Sequence, residues 1–296
     1  MLKNNAFLNI LLLCLSLNIF LPADNDAPFG DILLHHVTND QSEVYFDLDF
    51  GFIDMSVTKH VLLIWAIAGS LILLTLAATS RYRKNKNALP SRLSSLFEIL
   101  IDFIQNEMVI PNIGKKYTRT WTPLVATFFI FILFANFLGL IPFLEKLPGG
   151  SSTITGNFAV TAGLAFITFI SIIVAGSVKH GFIGHWKNMI PGGLPAPVLL
   201  ILIPVEIMGM FIKPLALLLR LGANMTAGHI GMVAIFGLPI LIGNSMGTEI
   251  GFGVGFVSVI LNTAIYFLEM IVCLVQAYVF ALLSSVFIGM AIHAEH

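Results

Sequence analysis

The chain has 296 residues, 57% of them hydrophobic and only 10% charged, where a soluble domain carries about 25% charged residues. So few charges cannot solvate a folded surface, which excludes a soluble globular protein and implies an integral membrane protein. The net charge of -1 leaves no surplus of Lys and Arg for phosphate contacts, so nucleic acid is excluded as a partner.

The first segment, "MLKNNAFLNILLLCLSLNIFLPADNDA", has a lone lysine, an apolar run and then Pro22 with small polar residues. It resembles a secretory signal or other targeting segment, with an uncleaved anchor as the alternative. Residues 24–56 carry Asp24, Asp26, Asp31, Asp40, Glu43, Asp47, Asp49 and Asp54 and almost no Lys or Arg, a bias that suits an external position. Val61–Thr79 is the first expected span, and the basic cluster "RYRKNK" that follows marks its cytoplasmic end. Residues 91–110 repeat apolar side chains at helical spacing with Glu98, Asp102 and Glu107 between them, the pattern of an amphipathic helix on the inner surface. Thr122–Phe143 should span outward and Thr153–Val178 should return, separated by the turn-rich "LEKLPGGSST".

Two apolar stretches remain, Pro197–Ile242 and Gly251–Ala291. As unbroken helices each would run about 60–70 Å at 1.5 Å per residue, against a hydrocarbon core of about 30 Å. Each must bend into two helices or lie steeply oblique. The absence of any polar interruption favours an oblique helical hairpin turning at "GNSMGTE". The expected fold is therefore all-α and membrane-embedded. It has about five membrane helices, including a long, steeply tilted C-terminal hairpin, plus the inner-surface amphipathic helix.

The hairpin carries polar residues that lipid should exclude. With Arg220 set at zero and about 100° per residue, Glu206, Lys213 and Asn224 fall within about 40° of it. Ala216, Ala223, Ala227, Gly231 and Ala234 lie within about 60° of the same line. Small residues let another helix approach closely in a membrane. A small-residue stripe alone means ordinary helix packing, and Lys213 can snorkel to the headgroups. Arg220 is harder to dismiss, because a central arginine costs about 2.5–3.5 kcal/mol on insertion scales and usually marks an ion pathway or counter-ion. The bland alternative is an internal structural ion pair, with Glu269 the obvious partner. His229 lies about 180° from Arg220, and Asn262, Glu269 and Gln276 recur every seven residues within about 20° of one line. His229 and Glu269 form a plausible facing pair able to exchange protons. Gln276 could hydrogen-bond beside Arg220 or merely pack. Asn136 reads as a helix-packing residue, and His35, His36, His180 and His185 fall in predicted loops with no assigned role. Cys14 and Cys273 sit in apolar runs with neither disulfide nor metal spacing. No phosphate-cradling loop, nucleophile motif or metal cluster occurs, so neither bond chemistry nor a cofactor is expected.

"KPLALLLRLGANMTAGHI" and "LEMIVCLVQAYVFALLSSVFIGMAIHAEH" resemble the two signature helices of subunit a of F-type ATP synthases. "PSRLSSLFEILIDFI" and "FFIFILFANFLGLIP" are similar to earlier segments of that family, and the resemblance covers roughly residues 30–296. It implies a stator subunit forming two offset proton half-channels against a rotating c ring, itself non-catalytic. Partners would be the c ring, b-type peripheral stalk subunits, the rest of the complex and the lipid membrane. By position, Arg220 matches the arginine facing the ring carboxylates, Asn224 the asparagine one turn beyond, Gln276 the glutamine of the last helix and Glu206 an acidic residue of the cytoplasmic exit path. His229 and Glu269 occur in exchanged order in some bacterial members. Ala216 and Gly209 replace serines of some relatives, so a serine-lined cytoplasmic path does not transfer.

This divides the chain into a signal-like or variable segment 1–25, an acidic external segment 26–58 and a membrane ion-translocating domain 59–296. The expected location is a bacterial inner membrane, multi-pass with a cytoplasmic C-terminus, and a mitochondrial inner membrane is the alternative. Two rival classes remain. A secondary transporter would need internal repeats around a midplane site, and none is evident. A non-conducting membrane scaffold would tolerate neutralising Arg220.

Overall fold

The computed structural model describes residues 44–46, 56–84, 89–141, 153–188 and 196–293. The signal-like segment, most of the acidic segment and most of the "LEKLPGGSST" loop lie outside these residues. Two short antiparallel strands, β1 (Val44–Phe46) and β2 (Val57–Thr58), precede an otherwise helical chain. The helices are α1 (Lys59–Lys84), α2 (Arg92–Phe103), α3 (Ile110–Ile113), α4 (Thr118–Gly139), α5 (Phe158–His180), α6 (Phe182–Asn188), α7 (Ala196–Met246) and α8 (Thr248–Ile292). Five of the described helices are long and apolar enough to cross a membrane, and this is a multi-pass membrane protein. Helices are the expected solution, since lipid satisfies no backbone N–H or C=O and each must be paired within its own segment.

Both C-terminal stretches form single uninterrupted helices, of 51 residues in α7 and 45 in α8. At 1.5 Å per residue they are about 76 and 68 Å long, so they must run obliquely through a core of about 30 Å. The chain reverses between them at Gly247, whose φ of +105° is a left-handed value that costs glycine little. Beside the turn the backbones almost touch. A Cβ on Gly251 would stand 2.7 Å from Gly243 Cα and 3.1 Å from the Pro239 carbonyl oxygen.

The described residues fall into two compact units joined by continuous helices. One comprises residues up to Leu63, Asn136–Asn157 and Asn224–Leu274. Its apolar helices are tied by polar groups that satisfy one another. Asn136 donates through Nδ2 to the Cys273 carbonyl at 3.2 Å, and its Oδ1 accepts from Thr155 Oγ1 at 2.6 Å. Tyr266 donates to the Leu140 carbonyl at 2.8 Å, and Thr226 to that of Gly156 at 3.1 Å. Asn136 is thus a packing residue. Most buried amides in proteins are satisfied in this way.

The second unit comprises Ile64–Ala135, Phe158–Ala223 and Val275–His296. Here α2 starts at an N-cap, Ser91, whose side chain accepts from the Ser94 N–H. Ser94 Oγ donates to the Ala78 carbonyl of α1 at 2.7 Å, and Tyr82 donates to Glu98 at 2.5 Å. The expected helix over 91–110 forms, but it widens into a π-helical segment at Ile104–Val109. Pro111 follows and has no N–H to offer the Glu107 carbonyl four residues back. The Met108 carbonyl accepts from two side chains, Asn112 Nδ2 and Ser285 Oγ, each at 2.7 Å. The end of α8 docks on this irregular segment. His293 Nε2 lies 3.0 Å from the Ile113 carbonyl and His180 Nε2 lies 3.1 Å from that of Ile292. A carbonyl only accepts, so each Nε2 carries the proton. His180, expected in a loop, is the last residue of α5 and holds the C-terminal helix.

Gly289 lets this docking occur, because a Cβ there would coincide with the Asn112 carbonyl oxygen. Gly289→Ala should therefore destabilise the chain by about 1–3 kcal/mol through overpacking, while Gly163→Ala, with open space around its Cα, should be neutral. Immunoblots of membrane-extracted protein after graded heating measure the difference, and equal thermal loss in the two variants would remove Gly289 from the docking account.

Candidate functional site

The stripe read from the spacing of α7 exists and is open. Arg220, Ala216, Ala223 and Ala227 are exposed, and Glu206, Lys213, Asn224, Gly231 and Ala234 are half-buried; none is buried. The opposite side is closed: Leu217 and Leu221 are each 1% exposed, Met225 2% and His229 5%. The helix buries Leu217, Leu221, Met225 and His229, while its small and polar stripe stays uncovered beside other exposed apolar side chains such as Phe211, Leu215 and Leu219. A Cβ added at Gly209 or Gly231 would meet nothing within 4 Å.

The polar groups of this face are also unsatisfied. Among the described residues, the side chains of Glu206, Arg220 and Asn224 have no hydrogen-bond or ion-pair partner. Lys213 differs: its ammonium lies 5.9 Å from the centroid of the Phe287 ring, a cation–π contact that covers its charge. On α8 the half-buried Gln276 amide likewise has no hydrogen-bond partner among the described residues.

Glu269 occupies a different environment. It is 5% exposed, and it lies so close to Gly228 that a Cβ at that glycine would run into both carboxylate oxygens. A side chain at this position would oblige the Glu269 carboxylate to shift. The next residue of α7, His229, is itself buried. One α-helical turn pair before Glu269, Asn262 is 3% exposed, and its Oδ1 has no hydrogen-bond partner among the described residues. Its place seven residues from Glu269 was the available signal, though no role was assigned to it. Lys59 and His60, at 1% and 3% exposure, are buried at the start of α1. They were missed because the apolar run reads as beginning at Val61. Among the described residues no group of three His, Cys, Asp or Glu side chains could hold a metal ion.

The sequence profile described as "ATP synthase A chain" matches residues 61–289. The chain belongs to the ATP synthase A chain family. It is 37% identical over 289 residues to "ATP synthase subunit a" of Anaeromyxobacter dehalogenans (strain 2CP-C), covering 90% of this chain and 71% of the relative. It is 39% identical over 251 residues to the Chloroherpeton thalassium protein of the same name, covering 84% and 71%. The corresponding figures for the Myxococcus xanthus protein are 40% over 246 residues, covering 83% and 76%. In this A chain the profile takes in both long helices and every candidate residue from Glu206 to Gln276. The open stripe of α7 and the buried Glu269 therefore lie within the residues that the profile matches.

Proposed function

We propose that this A chain, a stator subunit of the membrane sector of an F-type ATP synthase, forms two offset proton half-channels against a rotating c ring. The observation that carries the reading is the open face of α7: an exposed arginine without a partner among the described residues, in a stripe of alanines and glycines. Such a face suits a closely approaching helix that bears a carboxylate. Arg220 stays charged in any protein environment. It would attract each incoming carboxylate and favour its ionised form, and it would repel a cation crossing directly between the half-channels. Glu206 precedes it by 14 residues, about 21 Å along the helix, and His229 follows by nine, about 13 Å. Protons would exchange through Glu206 on the cytoplasmic side, and through His229 with Glu269 on the outer side. Asn224 and Gln276 would line the contact with the ring. Loading from one side and release to the other then biases rotation. Bond chemistry on ATP belongs to other subunits of the complex, with b-type subunits holding this chain against the turning ring. A bacterial inner membrane with the C-terminus inside agrees with the basic segments after α1 and α3.

Disulfide mapping tests the docking face. Cysteines at Ala216, Ala223 and Ala227, paired with cysteines on the carboxylate-bearing helix of the ring, should cross-link at least several-fold better than cysteines at Leu221 or Met225. Equal or inverted yields in the assembled complex would take the ring away from this face.

A further inference from the structure

A pocket of about 500 Å³ lies between the segment containing α2 and the start of α4, and nothing in the reading above uses it. Lys115, Arg119, Gln105 and Thr122 supply its polar lining, and Ile101 and Ala126 part of its apolar wall. Lys115 and Arg119 stand exposed and form no ion pair among the described residues, although Glu98, Asp102 and Glu107 are carried on the neighbouring segment. Both cations sit at the N-terminal end of α4, the positive end of its dipole. The first turn of α4 has no acidic residue to offset them. Thr122 is only 7% exposed, and its Oγ1 has no hydrogen-bond partner among the described residues. A buried hydroxyl left in that state is uncommon and usually awaits a water, ion or ligand.

We infer that this pocket binds a phosphate group carried on an apolar tail, the headgroup of an anionic phospholipid. Two cations and a helix N-terminus suit a phosphate oxygen cluster. The wall of Ile101, Pro123 and Ala126 suits the glycerol and the start of the acyl chains. A free phosphate would satisfy the cations and leave that wall uncovered, and a zwitterionic lipid would leave the excess positive charge unbalanced.

The test uses the assembled complex, purified in neutral detergent, stripped of lipid and titrated separately with phosphatidylglycerol and phosphatidylcholine. Retained lipid is quantified by mass spectrometry. Phosphatidylglycerol should be retained in preference to phosphatidylcholine, and Lys115→Gln with Arg119→Gln should weaken its retention at least about tenfold, the scale of losing charge-assisted hydrogen bonds. Thr122→Val, which keeps shape and removes the hydroxyl, should weaken it by a few-fold. Should the double variant not assemble, each single variant carries the same expectation at smaller size. Unchanged retention in assembled variants, or equal retention of both lipids, overturns the site. Displacement of phosphatidylglycerol by millimolar inorganic phosphate keeps the phosphate chemistry but overturns the lipid as its source.

Discussion

Arg220→Ala should abolish ATP-driven proton pumping in inverted membrane vesicles while leaving the complex assembled. Arg220 is exposed and unpaired within the described residues, so its removal leaves no hole in the core and no orphaned internal acid. The loss would fall on the partner in trans. Removing one member of a buried charge pair costs about 3–5 kcal/mol, or about 10²–10³-fold in the occupancy of the ionised carboxylate at the contact. A ring that cannot hold an ionised carboxylate there cannot exchange protons in order. Once the catalytic head is stripped, passive proton leak should rise, because the fixed cation between the half-channels is gone. Fluorescence quenching by a pH-sensitive dye reads both quantities. Normal pumping would leave Arg220 a surface accident and return the chain to the scaffold reading.

The second large effect concerns Glu269 and His229. His229→Glu should place two carboxylates in one buried neighbourhood, where both cannot stay ionised. Glu269→His should press an imidazole against Gly228, whose lack of a side chain admits the present carboxylate. Each single change should lower pumping at least about tenfold, the range assigned to a lost proton-transfer group. The double exchange keeps one acid and one imidazole and should recover part of the rate. Gly228→Ala separates geometry from chemistry, since both titratable groups remain and only the approach is blocked; it too should depress pumping without loss of assembled complex on a native gel. If His229→Glu and Glu269→His each pump at the parental rate, there is no relay.

Much of this architecture is readable along the chain. The five spans, the amphipathic segment and the long hairpin follow from runs and periods of apolar residues, and those patterns are local. So is the angular line through Glu206, Arg220 and Asn224, because a helix turns about 100° per residue wherever it sits. The reading failed where a carbonyl or a distant segment decides. His180 looked like a loop residue because it follows an apolar run and precedes Gly181, yet it ends α5 and its partner, Ile292, is 112 positions away. The π-helical turn at Ile104–Val109 could be guessed from Pro111 but not placed, since a carbonyl within it, that of Met108, accepts from Ser285, 177 positions along the chain. Lys59 and His60 were hidden because a charged residue beside an apolar run is ordinarily a boundary, and only packing buries it.

The two asparagines make the division plain. Asn136 and Asn224 each interrupt an apolar helix, and composition, hydropathy and spacing treat them nearly alike. By itself the sequence determined that both lie in membrane helices and that Asn224 shares a face with Arg220, because membrane insertion and helical phase are properties of a single segment. Only the tertiary structure decided that Asn136 is held at both ends, by Thr155 and by Cys273, 137 residues along the chain, while Asn224 and Arg220 are left open. Whether a buried polar group is satisfied depends on what folding brings to within about 3 Å of it, and that distance is not written in any one helix.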